Sequence, residues 1–194
     1  MIMKEHIIIF ETDRLIVRRF EPKDRDALYK NHLEDEVEKW IPNEKYEDPD
    51  EALDAIDFFA DCVDRESLPY VLAIESKQTG ELIGDTGINK VEGTKNEIEI
   101  GYTICKKYSG QGLATEAVKA MTDFAFSKFD AEIIYGRVMH GNEASVRVIE
   151  KNGYEFVKEE FGAEDDPYGK GMLIYKREAA SVAGNLIPKK RSTE

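Results

Sequence analysis

Lys107-Tyr108-Ser109-Gly110-Gln111-Gly112-Leu113-Ala114 joins a stretch with strand periodicity to one with helix periodicity, and its two glycines stand one residue apart. A glycine loop feeding a helix start leaves several backbone N–H groups without intrahelical partners, aimed where the helix dipole favours an anion. Glycine lets the backbone approach that anion with no Cβ in the way. The chemistry expected here is the holding of a phosphate-like group. Upstream, Ile98, Ile100, Tyr102 and Ile104 alternate with Glu97 and Glu99, so the apolar set shares one strand face and the glutamates the other. Downstream, Leu113, Ala117, Ala120, Met121 and Phe124 recur at helical spacing from the second glycine.

Three ligand classes use such a loop. A nucleotide P-loop needs a lysine directly after its last glycine, and Leu113 follows Gly112. A dinucleotide fingerprint wants a third glycine where Thr115 stands, and an acidic residue after the next strand, whereas Asp130 falls before it. Coenzyme A is the third class. Lys107-x-x-Gly110-x-Gly112, with Ala114 and Thr115-Glu116-Ala117 behind it, resembles the acyl-CoA pyrophosphate loop of the GNAT N-acetyltransferases, which usually opens on Arg or Gln. Glu11-Thr12-Asp13-Arg14-Leu15-Ile16-Val17-Arg18 resembles the first strand of the branch that acetylates ribosomal-protein N-termini at alanine or serine. Glu99-Ile100-Gly101-Tyr102 is similar to its fourth strand, and Asn142-Glu143-Ala144-Ser145 with Lys151-Asn152-Gly153-Tyr154 to its last helix and exit turn. These matches run in order from Glu11 to Arg177.

The resemblance implies acetyl-CoA as co-substrate. It assigns cofactor contacts to Tyr102, Thr103, Ile104, Lys107, Ser109, Gly110, Gln111, Gly112, Leu113, Ala114, Thr115 and Asn142. It also implies direct acetyl transfer to a primary amine, with a protein N-terminal α-amine as the leading acceptor. A small-molecule amine (aminoglycoside, polyamine or amino acid) and a non-catalytic acyl-CoA-binding module are the alternatives.

Acyl transfer to an amine requires a base for the amine, donors for the oxyanion and a proton for the departing thiolate. Glu99 is the candidate base; its structural reading is simply the solvent side of an alternating strand. Asn142 reads equally as an N-cap for the helix after it and as a contact to the pantetheine arm or reaction centre. Ser145 is the candidate donor to the thiolate, as the corresponding serine is in related acetyltransferases, with Tyr102 and Tyr154 as aromatic rivals that also suit a core. His140 reads as a surface residue at a strand end. Cys105 reads as a small buried hydrophobe.

The net charge of −13 opposes binding to nucleic acid or anionic membrane and favours a cationic partner such as a basic protein N-terminus. It does not exclude a phosphate site, because screening beyond about 10 Å leaves local amides in control. Cys62 and Cys105 lack metal or redox spacing, which fits a reducing cytoplasm. His6, His32 and His140 are scattered, so no metal centre is expected. No apolar run approaches a membrane span, and Ile7-Ile8-Ile9-Phe10 is short for a leader core. A monomer or homodimer is expected.

The elements that must position these residues follow from the same patterns. Strands are expected over Leu15–Phe20, Tyr70–Glu75, Leu82–Asn89, Glu97–Cys105, Ile133–Met139, Tyr154–Glu159 and Met172–Arg177. Helices are expected over Asp24–Leu33, Asp50–Arg65, from Gly112, and over Glu143–Lys151. Asp50, Asp54, Asp57, Asp61 and Asp64 line one helix face, either as a solvated surface or as a wall attracting a basic substrate. Short links at Gln78-Thr79-Gly80 and Glu92-Gly93-Thr94 imply antiparallel strands. The expected fold class is α/β (α+β): one GNAT-like domain over 1–180, a mixed, mostly antiparallel sheet with helices on both faces, and a flexible tail over 181–194.

Overall fold

A computed structural model describes residues 6–180, so the expected tail over 181–194 lies outside the described residues. The chain forms strands β1 (Ile8–Glu11) and β2 (Leu15–Arg18), then helices α1 (Arg25–His32), α2 (Asp35–Trp40) and α3 (Pro49–Asp64). Strands β3 (Tyr70–Ser76), β4 (Leu82–Lys90) and β5 (Glu97–Ile104) follow, then helix α4 (Leu113–Phe129) and strand β6 (Ile133–Met139). Helix α5 (Glu143–Lys151) and strands β7 (Glu155–Glu160) and β8 (Met172–Glu178) complete it. The eight strands make one sheet in the order β1-β2-β3-β4-β5-β6-β8-β7. Every neighbouring pair is antiparallel except β5 and β6, which α4 connects. A helical crossover is what parallel neighbours require, and the short links between β1 and β2, β3 and β4, and β4 and β5 suit antiparallel ones.

Two elements go beyond the sequence reading. β1 arises from the run Ile7-Ile8-Ile9-Phe10, which has no alternation to mark it as a strand. α2 is six residues long and buries only Val37, so it has no apolar stripe to betray it. The first expected strand stops at Arg18 rather than Phe20. Arg18 is 1% exposed; its guanidinium meets both Asp24 oxygens at 2.7 and 2.9 Å and Glu75 at 2.8 Å, tying β2 to the start of α1 and to β3.

Helices cover both faces. On one, Val118, Met121 and Ala125 of α4 pack against Leu72, Ile88, Ile100 and Ile134. On the other, Leu28 of α1 and Ala52 and Ile56 of α3 pack against Phe20 and Ala73. Fully burying such a side chain contributes about 1.5–3 kcal/mol. The aspartate stripe of α3 points outward and is partly paired: Asp50 lies 3.7 Å from Arg25, Asp61 pairs with Arg65, and Asp64 lies 2.7 Å from Arg19. Among the described residues no helix is long and apolar enough to cross a membrane, and no cluster of His, Cys, Asp and Glu has metal-site geometry.

Candidate active site

β5 and β6 run side by side only where Glu97, Ile98, Glu99 and Ile100 face Ile133, Ile134, Tyr135 and Gly136. Beyond that rung β5 stays on β4 as far as Ile104, while β6 follows β8 to Met139. The sheet therefore splits at Gly101 and Arg137, leaving one flank of each strand end without a partner strand. Alternation sends successive side chains to opposite sides of this split.

On the α1 side stands Glu99. Its carboxylate is 3.9 Å from Arg137, whose guanidinium is otherwise committed to Asp165 at 2.9 and 3.0 Å and to Glu160 at 2.8 Å. Burial pushes the Glu99 carboxyl up to about 7; Arg137 opposes this, and the nearby Asp165 and Glu160 charges add to it. The side chain nevertheless keeps 34% of its surface open, so it is crowded by neighbours yet reachable. A carboxylate near neutrality that solvent can reach has the properties of a general base.

On the α4 side the Tyr102 hydroxyl and Ser145 Oγ are 2.7 Å apart, joining β5 to α5 across the split. Burial pushes the Tyr102 phenol up to about 12, with the Ser145 bond pulling the other way. Asn142 is the N-cap of α5: its side-chain oxygen accepts from the Ser145 amide at 3.1 Å and so fixes where Ser145 begins the helix. Its side-chain nitrogen has no partner among the described residues. Base and hydroxyl pair thus lie on opposite sides of one opening.

The glycine loop lies beyond the end of β5. Gly110 and Gly112 have φ of 73° and 79°, the left-handed region that glycine adopts without strain. A short 3-10 turn, Lys106–Tyr108, uses the amides of Tyr108 and Ser109 to reach Cys105 and Lys106 at 2.9 and 3.1 Å. No described residue accepts from the amides of Gly110, Gln111, Gly112, Leu113, Ala114 or Thr115. α3 is capped by Asp48 and α5 by Asn142, but α4 begins at Gly112 with no side-chain cap. A row of free amides at a helix N-terminus fits a pyrophosphate.

Individual assignments fare differently. Lys107 turns its ammonium to Glu81 at 2.6 Å, and the Tyr108 hydroxyl reaches the same carboxylate, so the Lys107 charge is engaged outside the amide row. Thr103 faces the α1 side, where its hydroxyl donates to Asp85 at 2.8 Å; only its backbone borders the split. Ile104 and Tyr102 point to the α4 side. Leu113 is buried beneath the helix start, while Ser109, Gly110, Gln111 and Gly112 are exposed and Ala114 and Thr115 are half-buried. Tyr154 belongs to the core, its hydroxyl 2.8 Å from Thr122. His140 is exposed, and Cys105 is buried with its thiol pushed up by that burial.

Several residues near the opening were not singled out from sequence. Arg137 was legible, since Tyr135, Arg137 and Met139 alternate along one strand. Glu160 and Asp165 reach it from β7 and the following loop, which no local pattern could announce. Trp40, at the end of α2, packs on Met139, Met172 and Ile174 and lies close over Gly141. The loop after α2 is tied to the β7–β8 loop by Asn43 donating to the Glu164 carbonyl at 3.1 Å. His32 of α1 is buried, with Nε2 2.9 Å from Asp85 and Nδ1 2.7 Å from the Glu44 carbonyl. Both partners are acceptors, so both ring nitrogens donate and the ring is an imidazolium.

The profile of the acetyltransferase (GNAT) domain matches residues 14–155. The uncharacterized N-acetyltransferase YoaA of Bacillus subtilis is 32% identical over 147 residues, 76% of this chain and 82% of that protein. Among solved structures, the ribosomal-protein-S5-alanine acetyltransferase from Vibrio fischeri superposes with a TM-score of 0.76 at 16% identity, covering 87% of this chain and 95% of that one. RimL, a ribosomal L7/L12 α-N-protein acetyltransferase solved with coenzyme A, gives a TM-score of 0.74 at 19% identity, covering 88% and 97%.

Proposed function

Because the chain belongs to the GNAT acetyltransferase family, whose members use acetyl-CoA, we propose that it acetylates a cationic primary amine, with a peptide α-amine as the preferred acceptor. The observation that carries this reading is Glu99, raised to about 7, on the side of the split opposite the Tyr102–Ser145 pair. Bound acetyl-CoA supplies the acetyl thioester. The amides from Gly110 to Thr115 hold its pyrophosphate, and the unpartnered side-chain nitrogen of Asn142 faces the arm. Glu99 takes a proton from the acceptor ammonium, the nitrogen attacks through the split, and the new C–N bond replaces the C–S bond. The Tyr102–Ser145 pair gives one proton to the departing sulfur and is reprotonated by the second proton, which the nitrogen sheds as the amide forms. Neither buried cysteine carries the acetyl group.

The charge on the α1 side supports a cationic acceptor: Glu99, Glu160 and Asp165 surround the single guanidinium of Arg137. Proton affinity supports an α-amine. Against a base near 7, deprotonating an α-ammonium of pKa near 7.7 costs about 1 kcal/mol, and a lysine of pKa near 10.4 about 4.6 kcal/mol. The test compares basic peptides beginning with Ala or Ser, their N-terminally blocked forms, aminoglycosides and polyamines, with thiol release as readout. Acetylation of the free peptides is expected. Turnover of small amines alone, or of blocked peptides at lysine, would overturn the α-amine and leave the amine transferase standing.

A further inference from the structure

Arg14, in the turn between β1 and β2, is 97 residues from Gln111 in sequence, yet its Nη1 donates to the Gln111 carbonyl at 2.9 Å. The peptide unit is planar and trans, so the Gly112 N–H points the opposite way from the carbonyl of Gln111. With that carbonyl held by Arg14, the Gly112 N–H is turned away from the guanidinium. The guanidinium is itself held. Its Nε and Nη2 both lie 2.6 Å from Glu116 Oε2, in the first turn of α4. Glu116 Oε1 accepts from the Thr12 hydroxyl at 2.6 Å and from the Arg14 amide at 2.9 Å. Four donors therefore satisfy a carboxylate that would otherwise compete with a bound anion for the same helix dipole.

We propose that Arg14 is a positioning residue for the pyrophosphate loop, fixing the Gln111–Gly112 peptide so that the Gly112 amide faces the anion, with Glu116 and Thr12 anchoring the guanidinium. The inference rests on the reading of this loop as the cofactor's. It does not need Arg14 to hold the fold together. The guanidinium is 49% exposed, and such exposed ion pairs contribute little to stability.

The experiment measures, by calorimetry, the affinities of CoA and of pantetheine (which lacks the pyrophosphate) for wild type, Arg14→Gln, Arg14→Lys and Gly112→Ala. Arg14→Gln is expected to weaken CoA about ten-fold, the scale of one lost charge-assisted hydrogen bond, and to leave pantetheine unchanged. Arg14→Lys keeps the charge but cannot span Glu116 and the Gln111 carbonyl together, so it should fall between the two. Equal loss of CoA and pantetheine would make Arg14 a structural residue and overturn the inference, as would unchanged CoA binding in Arg14→Gln. If Gly112→Ala also leaves CoA affinity unchanged, the placement of the cofactor fails first, and the inference with it.

Discussion

In the proposed mechanism the pH dependence of turnover rests on Glu99. A base that must be unprotonated gives a rate that rises with pH and levels off above its pKa, here about 7. Glu99→Gln should flatten that rise and lower turnover about 10²–10⁴-fold, with CoA affinity unchanged; a pH–rate profile of folded variant and wild type checks this. The same shift has a stability sign. The folded carboxyl is raised above its unfolded value near 4.3, so between there and about 7 the native state binds the extra proton and stability falls as pH rises. Glu99→Gln should escape that fall and melt no lower than wild type at pH 8, as calorimetry can record. Ser145→Ala is expected to cost ten- to a hundred-fold in turnover. Because Ser145 and the Tyr102 hydroxyl are 2.7 Å apart, Tyr102→Phe and the double variant should each lose about as much, a non-additivity that marks one relay rather than two donors. Sequence named Ser145 and Tyr102 as rivals; it could not show them touching, because the contact spans 43 residues and depends on how β5 and α5 meet.

The elements differ in how openly sequence declares them. The loop and start of α4 were legible because a strand period, two glycines and a helix period sit in one continuous stretch. α2 was not, since six mostly charged residues with one buried valine carry no period. The split between β5 and β6 was equally hidden, being a property of which strands each one leaves for. His32 links three such elements, α1, the loop after α2 and β4. Burial alone would lower its pKa, but the Asp85 charge and both hydrogen bonds outweigh this and hold it raised to about 9. A raised histidine contributes stability that is complete below its unfolded value near 6.5 and is lost as pH climbs through about 9. Wild type should therefore lose on the order of 3 kcal/mol across that window that His32→Gln does not lose, seen as converging denaturation midpoints at high pH.

At the scale of the whole molecule the net charge of −13 acts as a field rather than a contact. α3 packs on β3, two strands away from β5, and strands are spaced about 4.8 Å apart, so the aspartate stripe lies on the order of a Debye length from the split. It is a solvated face that adds to a diffuse attraction, and in the proposed reading the acidic wall beside the acceptor is Glu99, Glu160 and Asp165. Two outcomes follow. Raising salt from about 0.05 to 0.3 M should raise KM for a basic peptide severalfold and leave a neutral one nearly unchanged. Replacing Asp54 and Asp57 together by asparagine should alter kcat/KM for the basic peptide less than two-fold, about the limit for distant surface charges. Steady-state kinetics reads both.

The missing cap on α4 has a consequence in isotope exchange. Asp48 occupies the amides of Asp50 and Glu51 at the start of α3, and Asn142 that of Ser145 at the start of α5, so those sites are shielded in the free protein. The amides from Gly110 to Thr115 have no partner among the described residues, and in D₂O they should take up deuterium at nearly the pace of an unstructured peptide. Saturating CoA should slow them selectively while the α3 and α5 starts stay as they were, so that the helix acquires its cap only when it is loaded.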